Sequence, residues 1–269
     1  APLSLLSPPL LFATTSSMSS SSSLTPPGSP APKIKAVIFD LDGTLLDTET
    51  LSCKAVLDAF EDSMSEEVRE TLARSPEGYK LPWELKKRTL GLRGGAWIPM
   101  VIEYGSEHWD VNEAPSVSEF WERWESRLCE LCLDVDECPG ATDLVQTLHD
   151  RGVPIAIATS SRGIAVEKKR VKHEGMFGCI PTIVCGEDVQ NGKPAPDIYL
   201  EAARRIGIDP SECLCFEDAV AGVESARAAG MYCIAVPDPR MEPNAFIEAE
   251  ADEVIQSLKH FDYKKWGLE

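Results

Sequence analysis

The stretch that decides the fold reads Ala36-Val37-Ile38-Phe39-Asp40-Leu41-Asp42-Gly43-Thr44. An unbroken apolar run ends abruptly in two aspartates separated by one leucine and followed by glycine. A run this short and this uniformly apolar suits a strand buried on both faces of a parallel sheet, where no polar alternation is needed. Carboxylates that follow it directly stand at the strand's carboxyl end, where open α/β sheets hold their ligands.

Further runs of the same kind lie downstream. They are Pro154-Ile155-Ala156-Ile157-Ala158, Thr182-Ile183-Val184-Cys185, Cys213-Leu214-Cys215-Phe216 and Tyr232-Cys233-Ile234-Ala235-Val236. Helical segments separate them over residues 141–151, 162–173, 196–206 and 219–229; in the third, Ile198, Ala202 and Ile206 recur every four residues. This alternation predicts an α/β protein whose core is a Rossmann-like, doubly wound parallel sheet. The rhythm breaks once, between the first and second strands. Residues 51–137 show helical periodicity and no strand pattern: Leu51, Ala55, Val56 and Phe60 form one apolar face, and Val117, Phe120, Trp121, Trp124, Leu128 and Leu131 form another. An all-helical cap domain is therefore expected here, inserted into a core made of residues 33–50 and 138–269, with Cys138-Pro139-Gly140 marking the return.

Composition narrows the function. The chain has 269 residues, 43% of them apolar, which is enough for a proper core. Lys and Arg number 26 against 44 Asp and Glu, a formal charge of −18 that argues against phosphate backbones and anionic lipid surfaces as partners. No apolar run approaches the roughly 20 residues of a membrane span. Neither nucleic acid nor membrane is the expected partner, and a monomer is the expected state. Residues 1–32 carry no charged residue or histidine, and 17 of the 32 are Ser or Pro, a composition that cannot build a core and reads as a disordered leader. It lacks the arginines of a transit peptide and the basic start of a secretory signal, and Met18 offers an internal start. The expected location is the cytoplasm, with a plastid or another organelle as the alternative if this leader is a transit peptide. The nine cysteines are odd in number and show no disulfide-framework spacing, which fits a reducing compartment. Cys129 and Cys132 have a zinc-like spacing but sit beside the tryptophan-bearing helix face with no second pair following, so they read as buried thiols.

Four polar signals fall at predicted strand ends or on loops leading into helices: Asp40 with Asp42, Thr159, Lys193, and Glu217-Asp218. Carboxylates converging there repel one another unless a cation joins them or some are protonated. A hard, all-oxygen site suits Mg²⁺, which commonly takes one or two carboxylates plus water and substrate phosphate. Lys193 adds a positive charge and Thr159 a hydroxyl donor, which together describe a pocket for a phosphoryl group beside a metal. The spacing of Asp40 and Asp42 lets one carboxylate attack phosphorus while the other serves as acid for the leaving oxygen and then as base for water. Singly, each signal has a plainer reading: a solvated Asp-x-Asp loop, a helix cap at Glu217-Asp218 or Thr159, a surface lysine. Their ordered convergence on strand ends argues for the site.

These segments resemble the motifs of the haloacid dehalogenase superfamily. Ile38-Phe39-Asp40-Leu41-Asp42-Gly43-Thr44 is similar to its first motif, Ala158-Thr159-Ser160 to its second, Gly192-Lys193-Pro194 to its third, and Phe216-Glu217-Asp218-Ala219 with Gly222 to its fourth. The helical insert is similar to the family's C1-type cap. Within the family the likeness is to the sugar-phosphate phosphatase and phosphomutase branch, especially the group of pseudouridine 5'-phosphatases and DL-glycerol-3-phosphatases, from which Gly91-Leu92-Arg93-Gly94-Gly95 in the cap departs.

The resemblance implies a Mg²⁺-dependent hydrolase of a small-molecule phosphate monoester, with Asp40 as nucleophile and Asp42 as acid and base. Thr159, Lys193 and the Ser160 backbone would hold the transferring phosphoryl group. The metal would be held by Asp40, the Asp42 carbonyl, Asp218 and, directly or through water, Glu217. Arg93, a loop arginine flanked by glycines, is expected to reach the substrate from the cap. Two alternatives use the same fold: a β-phosphoglucomutase-like phosphotransferase and a non-catalytic binding protein. Asp42 and Glu217-Asp218 speak against a true dehalogenase.

Overall fold

The computed structural model describes residues 33–269 except 61–62, 75–80, 110 and 112. The reading of residues 1–32 as a leader falls outside the described residues. The sheet is built from β1 (Ala36–Phe39), β2 (Ile155–Ala158), β3 (Thr182–Val184), β4 (Cys213–Glu217), β5 (Tyr232–Ala235) and β6 (Glu253–Val254). All pairings are parallel, and the spatial order is β3-β2-β1-β4-β5-β6. This is the doubly wound order, and its switch point lies between β1 and β4.

The two faces of the sheet differ in the size of their side chains. Val37, Phe39, Ile155, Ile157, Leu214 and Phe216 point to one side, where they pack on Leu144, Leu148, Phe177 and Trp266. Ala36, Ile38, Ala156, Ala158, Cys213 and Cys215 point to the other, against Ile198, Tyr199, Ala202, Val223 and Ala226. Small residues on that side admit the helices α9 (Asp197–Ile206) and α10 (Val220–Ala228) closely. The first side is covered by α6 (Ala141–Asp150), α7 (Gly163–Arg170), α8 (Glu174–Gly178) and the carboxyl-terminal segment around Trp266. Five strands match the apolar runs of the sequence. The sixth, β6, is two residues long and includes Glu253, whose carboxylate accepts from Trp266 Nε1 at 3.0 Å, so no apolar run announces it. The short helix α11 (Pro243–Glu248) was likewise not expected.

Between β1 and β2 the chain is helical: α1 (Glu49–Ala59), α2 (Glu66–Arg74), α3 (Trp83–Thr89), α4 (Gly94–His108) and α5 (Val117–Leu131). The first of these begins at Glu49, within the stretch assigned to the core. A capping box of Ser116 and Glu119 starts α5. The cap has its own core, centred on Phe60, whose ring lies edge-on to Phe120 at 5.0 Å and to Trp109 at 5.3 Å. Phe120 is fully buried, whereas Val117, expected on the same face, is 44% exposed. It borders an open groove with Ile98 and Trp121, where α4 does not cover the start of α5. Cys129 and Cys132 are buried free thiols, as the helix face implied.

Five of the six tryptophans lie between β1 and β2, so indole fluorescence reports mainly on the cap. Phe60→Ala removes the hub of its core and is expected to cost about 3–5 kcal/mol. Urea unfolding followed by tryptophan emission should show a lowered midpoint, and an unchanged one would contradict this packing.

Candidate active site

Asp40 is the first residue beyond β1, and its backbone N–H donates to the Phe216 carbonyl of β4 at 2.9 Å, which ties the two strand ends together. Glu217 closes β4 and Asp218 follows it. The carboxylates of Asp40, Glu217 and Asp218 thus meet at the switch point, with one oxygen of each within 4.8 Å of the others, and all three residues are buried. Among the described residues this is the one cluster of metal-ligating side chains.

Lys193 reaches this cluster from the loop before α9. Its ammonium lies 2.5 Å from Asp40 Oδ1 and 2.6 Å from Glu217 Oε1, and donates also to the Ala158 carbonyl at 3.1 Å. The fully buried Tyr199 hydroxyl donates to the same Glu217 oxygen. Glu217 Oε2 is buried with no hydrogen-bond partner among the described residues. Three carboxylates and one ammonium leave two negative charges uncompensated. At an effective dielectric near 20, two like charges 4.8 Å apart repel by about 3.5 kcal/mol. Burial accordingly pushes Asp218 well up from the usual carboxylate range, helped by the charges of Asp40 and Glu217. Burial also raises Asp40, to about 8, against the opposing pull of Lys193. The Lys193 ammonium is held in its charged form: burial disfavours it, but Asp40 and Glu217 outweigh that effect. An all-oxygen donor set, an unpartnered carboxylate oxygen and a deficit of two positive charges fit a divalent hard cation.

Glycines make this crowding feasible at two places. Gly43 has φ +87°, and a Cβ there would lie 2.2 Å from Asp218 Oδ2. A Cβ at Gly222 would lie 2.0 Å from the Glu217 carboxylate.

Asp42 sits apart from the cluster. Its Oδ1 accepts from Lys169 Nζ at 2.5 Å, and its Oδ2 accepts from Ser161 Oγ at 2.7 Å and Thr159 Oγ1 at 3.2 Å. Burial works to raise this carboxyl, but Lys169 and the hydroxyl donors outweigh it and hold it below the usual range. Thr159 is fully buried, and its hydroxyl also accepts from the Ser161 N–H at 3.1 Å. Ser160 lines the cavity, and its hydroxyl donates to the Gly91 carbonyl of the cap at 3.1 Å. Lys169 was not expected from the sequence. The available signal was its place three and four residues after Val166 and Ala165 on the buried face of α7, where a lysine is out of character.

Arg93 is a correction. The residue expected to reach substrate turns its guanidinium onto the core loop before Lys193, donating to the carbonyls of Gly186, Val189 and Gln190, the last two at 2.9 Å. Its stem lies flat on Gly192, where a Cβ would come within 2.5 Å of Arg93 Cδ. Three carbonyls engage the guanidinium more fully than an open pocket would, and Arg93 does not line the cavity.

That cavity lies between sheet and cap, above Asp40 and Asp42. Trp97, Trp121 and Trp124 form an aromatic wall, and Lys86, paired with Glu49 at 2.5 Å, stands among the lining residues.

A carboxylate pair on one strand end, a lysine and a cation-ready cluster thus lie together beneath a helical cap. Over residues 34–230 the chain matches the haloacid dehalogenase-like hydrolase family, and it belongs to that family. It is 36% identical over 242 residues to a probable pseudouridine-5'-phosphatase of Drosophila melanogaster, covering 88% of this chain and 95% of that protein. It is 35% identical to (DL)-glycerol-3-phosphatase 1, mitochondrial, of Arabidopsis thaliana, covering 87% of this chain and 74% of the relative. Among solved structures, CbbY from Rhodobacter sphaeroides in complex with phosphate superposes with a TM-score of 0.64 at 26% identity, over 84% of this chain and 96% of that one. The chain is an enzyme of the phosphatase kind.

Gly222→Ala forces the Glu217 carboxylate away from its seat and Lys193 with it. Turnover of p-nitrophenyl phosphate should fall by about tenfold or more, while far-ultraviolet circular dichroism stays native. Unchanged turnover would mean that the Glu217 position does not matter.

Proposed function

We propose that this protein is a Mg²⁺-dependent phosphomonoester hydrolase of a small phosphorylated metabolite, working through an aspartyl-phosphate at Asp40. The observation that carries this reading is the Asp40–Lys193 pair set into the Asp218 and Glu217 cluster, on the floor of a capped cavity. Asp40, Asp218, the Asp42 carbonyl and Glu217 would hold the metal, which when bound neutralises charge on the carboxylates and on the phosphoryl oxygens.

Asp40 attacks phosphorus, and Asp42 gives its proton to the departing alcohol oxygen. Water then attacks the aspartyl-phosphate, with Asp42 taking the water proton, and phosphate leaves as Asp40 is restored. Lys193 offsets charge on the phosphoryl oxygens, and the Ser160 backbone sits at the cavity edge to assist. Thr159 serves chiefly by holding Asp42, to which its hydroxyl is already committed.

The aromatic wall bears on the substrate. The relatives named above are called a probable pseudouridine-5'-phosphatase and a glycerol-3-phosphatase, and a cavity lined by Trp97, Trp121 and Trp124 offers aromatic surface that suits a nucleoside or sugar better than a three-carbon polyol. A panel of nucleoside, sugar and polyol monophosphates with Mg²⁺ should favour ring-bearing esters over glycerol 3-phosphate by about tenfold in kcat/KM. Preference for glycerol 3-phosphate would overturn the substrate reading. Release of inorganic phosphate rather than an isomeric sugar phosphate separates a hydrolase from a phosphotransferase. Asp40→Asn should lower turnover by about a thousandfold, and chelation of Mg²⁺ should abolish it. Activity that survived either would sink the mechanism.

A further inference from the structure

Among the described residues three lysines are buried: Lys86, Lys169 and Lys193. Lys193 belongs to the carboxylate cluster and Lys86 pairs with Glu49 at the cavity wall. Lys169, on α7, is 0% exposed and lies below the cavity. An ammonium withdrawn from water is costly unless paired, and a position that only filled space would be served better by Leu or Met.

Its contacts use two of the three ammonium hydrogens. Lys169 Nζ donates to Asp42 Oδ1 at 2.5 Å and to Ser161 Oγ at 2.7 Å. The Ser161 hydroxyl, with one proton to give, donates it to Asp42 Oδ2 at 2.7 Å. Thr159 Oγ1 donates to the same oxygen at 3.2 Å while accepting from the Ser161 N–H. Lys169, Ser161 and Asp42 thus form a closed triangle in which both carboxylate oxygens are fixed and no donor is used twice. Asp42 is 27% exposed at its side chain, so one edge still faces the cavity.

We propose that Lys169 is the positioning residue of Asp42: with Ser161 it fixes the rotamer that aims the Asp42 carboxyl group into the cavity. The proposal rests on the reading of Asp42 as acid and base. In the first step an Asp40 oxygen bonds to phosphorus and the ester P–O bond breaks. The bonding pair stays with the departing alcohol oxygen, and the Asp42 proton passes to it. Asp42 ends as a carboxylate beside an ammonium that takes no part in the transfer. In the second step water bonds to phosphorus, the bond from Asp40 to phosphorus breaks with its electron pair returning to the Asp40 carboxylate, and a proton of that water passes to Asp42.

The test compares leaving groups. A p-nitrophenolate departs without protonation, whereas an alkoxide does not, so a fault in the acid is felt on alkyl esters. The measurement is kcat/KM, which reports steps through alcohol release, for p-nitrophenyl phosphate and for the primary alkyl phosphate that the panel shows to react fastest. Lys169→Met should lower the alkyl value about tenfold more than the aryl value, and Ser161→Ala should show a smaller bias in the same direction. Equal losses on both esters in the two variants would reduce Lys169 to a structural role and overturn the proposal. If Lys169→Met fails to fold, Ser161→Ala decides. Asp42→Asn serves as the reference: a bias there but in neither other variant overturns this proposal alone, while no bias in Asp42→Asn overturns the acid assignment beneath it.

Discussion

The constraint on which this molecule depends is the burial of three carboxylates around one ammonium at the carboxyl ends of β1 and β4. Backbone pairing forces it: Asp40 N–H bonds to the Phe216 carbonyl at 2.9 Å, so the residues that follow β4 must lie beside those that follow β1. Once they do, repulsion between the carboxylates has to be met by Lys193 together with a cation or a proton. Much of the surrounding structure serves that arrangement. Gly43 and Gly222 leave room for Asp218 and Glu217, Tyr199 hydrogen-bonds the same Glu217 oxygen as Lys193, and the Ala158 carbonyl at the end of β2 helps hold Lys193.

Two aspartates only two residues apart end up in different surroundings, and lysines are the means. Asp40 faces Lys193 and the cation-ready cluster, while Asp42 is turned onto Lys169, Ser161 and Thr159. Their carboxyls are shifted in opposite directions, Asp40 up by burial and Asp42 down because Lys169 outweighs burial. Two lysines thus hold neighbouring carboxylates in separate places, Asp40 inside the cluster and Asp42 outside it.

The cap is held to the core by contacts that belong to neither domain alone. Arg93 clasps the loop ahead of Lys193, Ser160 donates to the Gly91 carbonyl, Arg162 pairs with Glu125 at 2.6 Å, and Arg240 stacks over Trp83 at 4.2 Å. The cavity they close is aromatic on its cap side and anionic on its floor. The chain's formal charge of −18 is therefore a poor guide to its substrate, because the local field at the strand ends is set by a few buried groups rather than by the acidic surface.

The sequence by itself determined the α/β class, five of the six strands, the helical insertion and the residues of the carboxylate cluster. Each is a local signal: an apolar run, a helical period, or a polar residue immediately after a strand. Even Lys193, far along the chain from Asp40, was legible through its place in a recognisable segment. What only the tertiary structure decided is which groups those residues face. The two-residue strand β6 carries no apolar run, and its buried Glu253 is satisfied by Lys265 and Trp266 of the carboxyl-terminal segment. Arg93 reads as a substrate contact from its glycine-flanked loop, yet three carbonyls of another domain claim its guanidinium. Lys169 lies 127 positions from Asp42, and only the docking of α7 beside the end of β1 brings its charge to that carboxylate. Position along the chain sets the type of residue at a strand end or on a helix face; the partner of a buried charge is set by packing, because a long side chain takes whichever counter-charge the fold brings within reach.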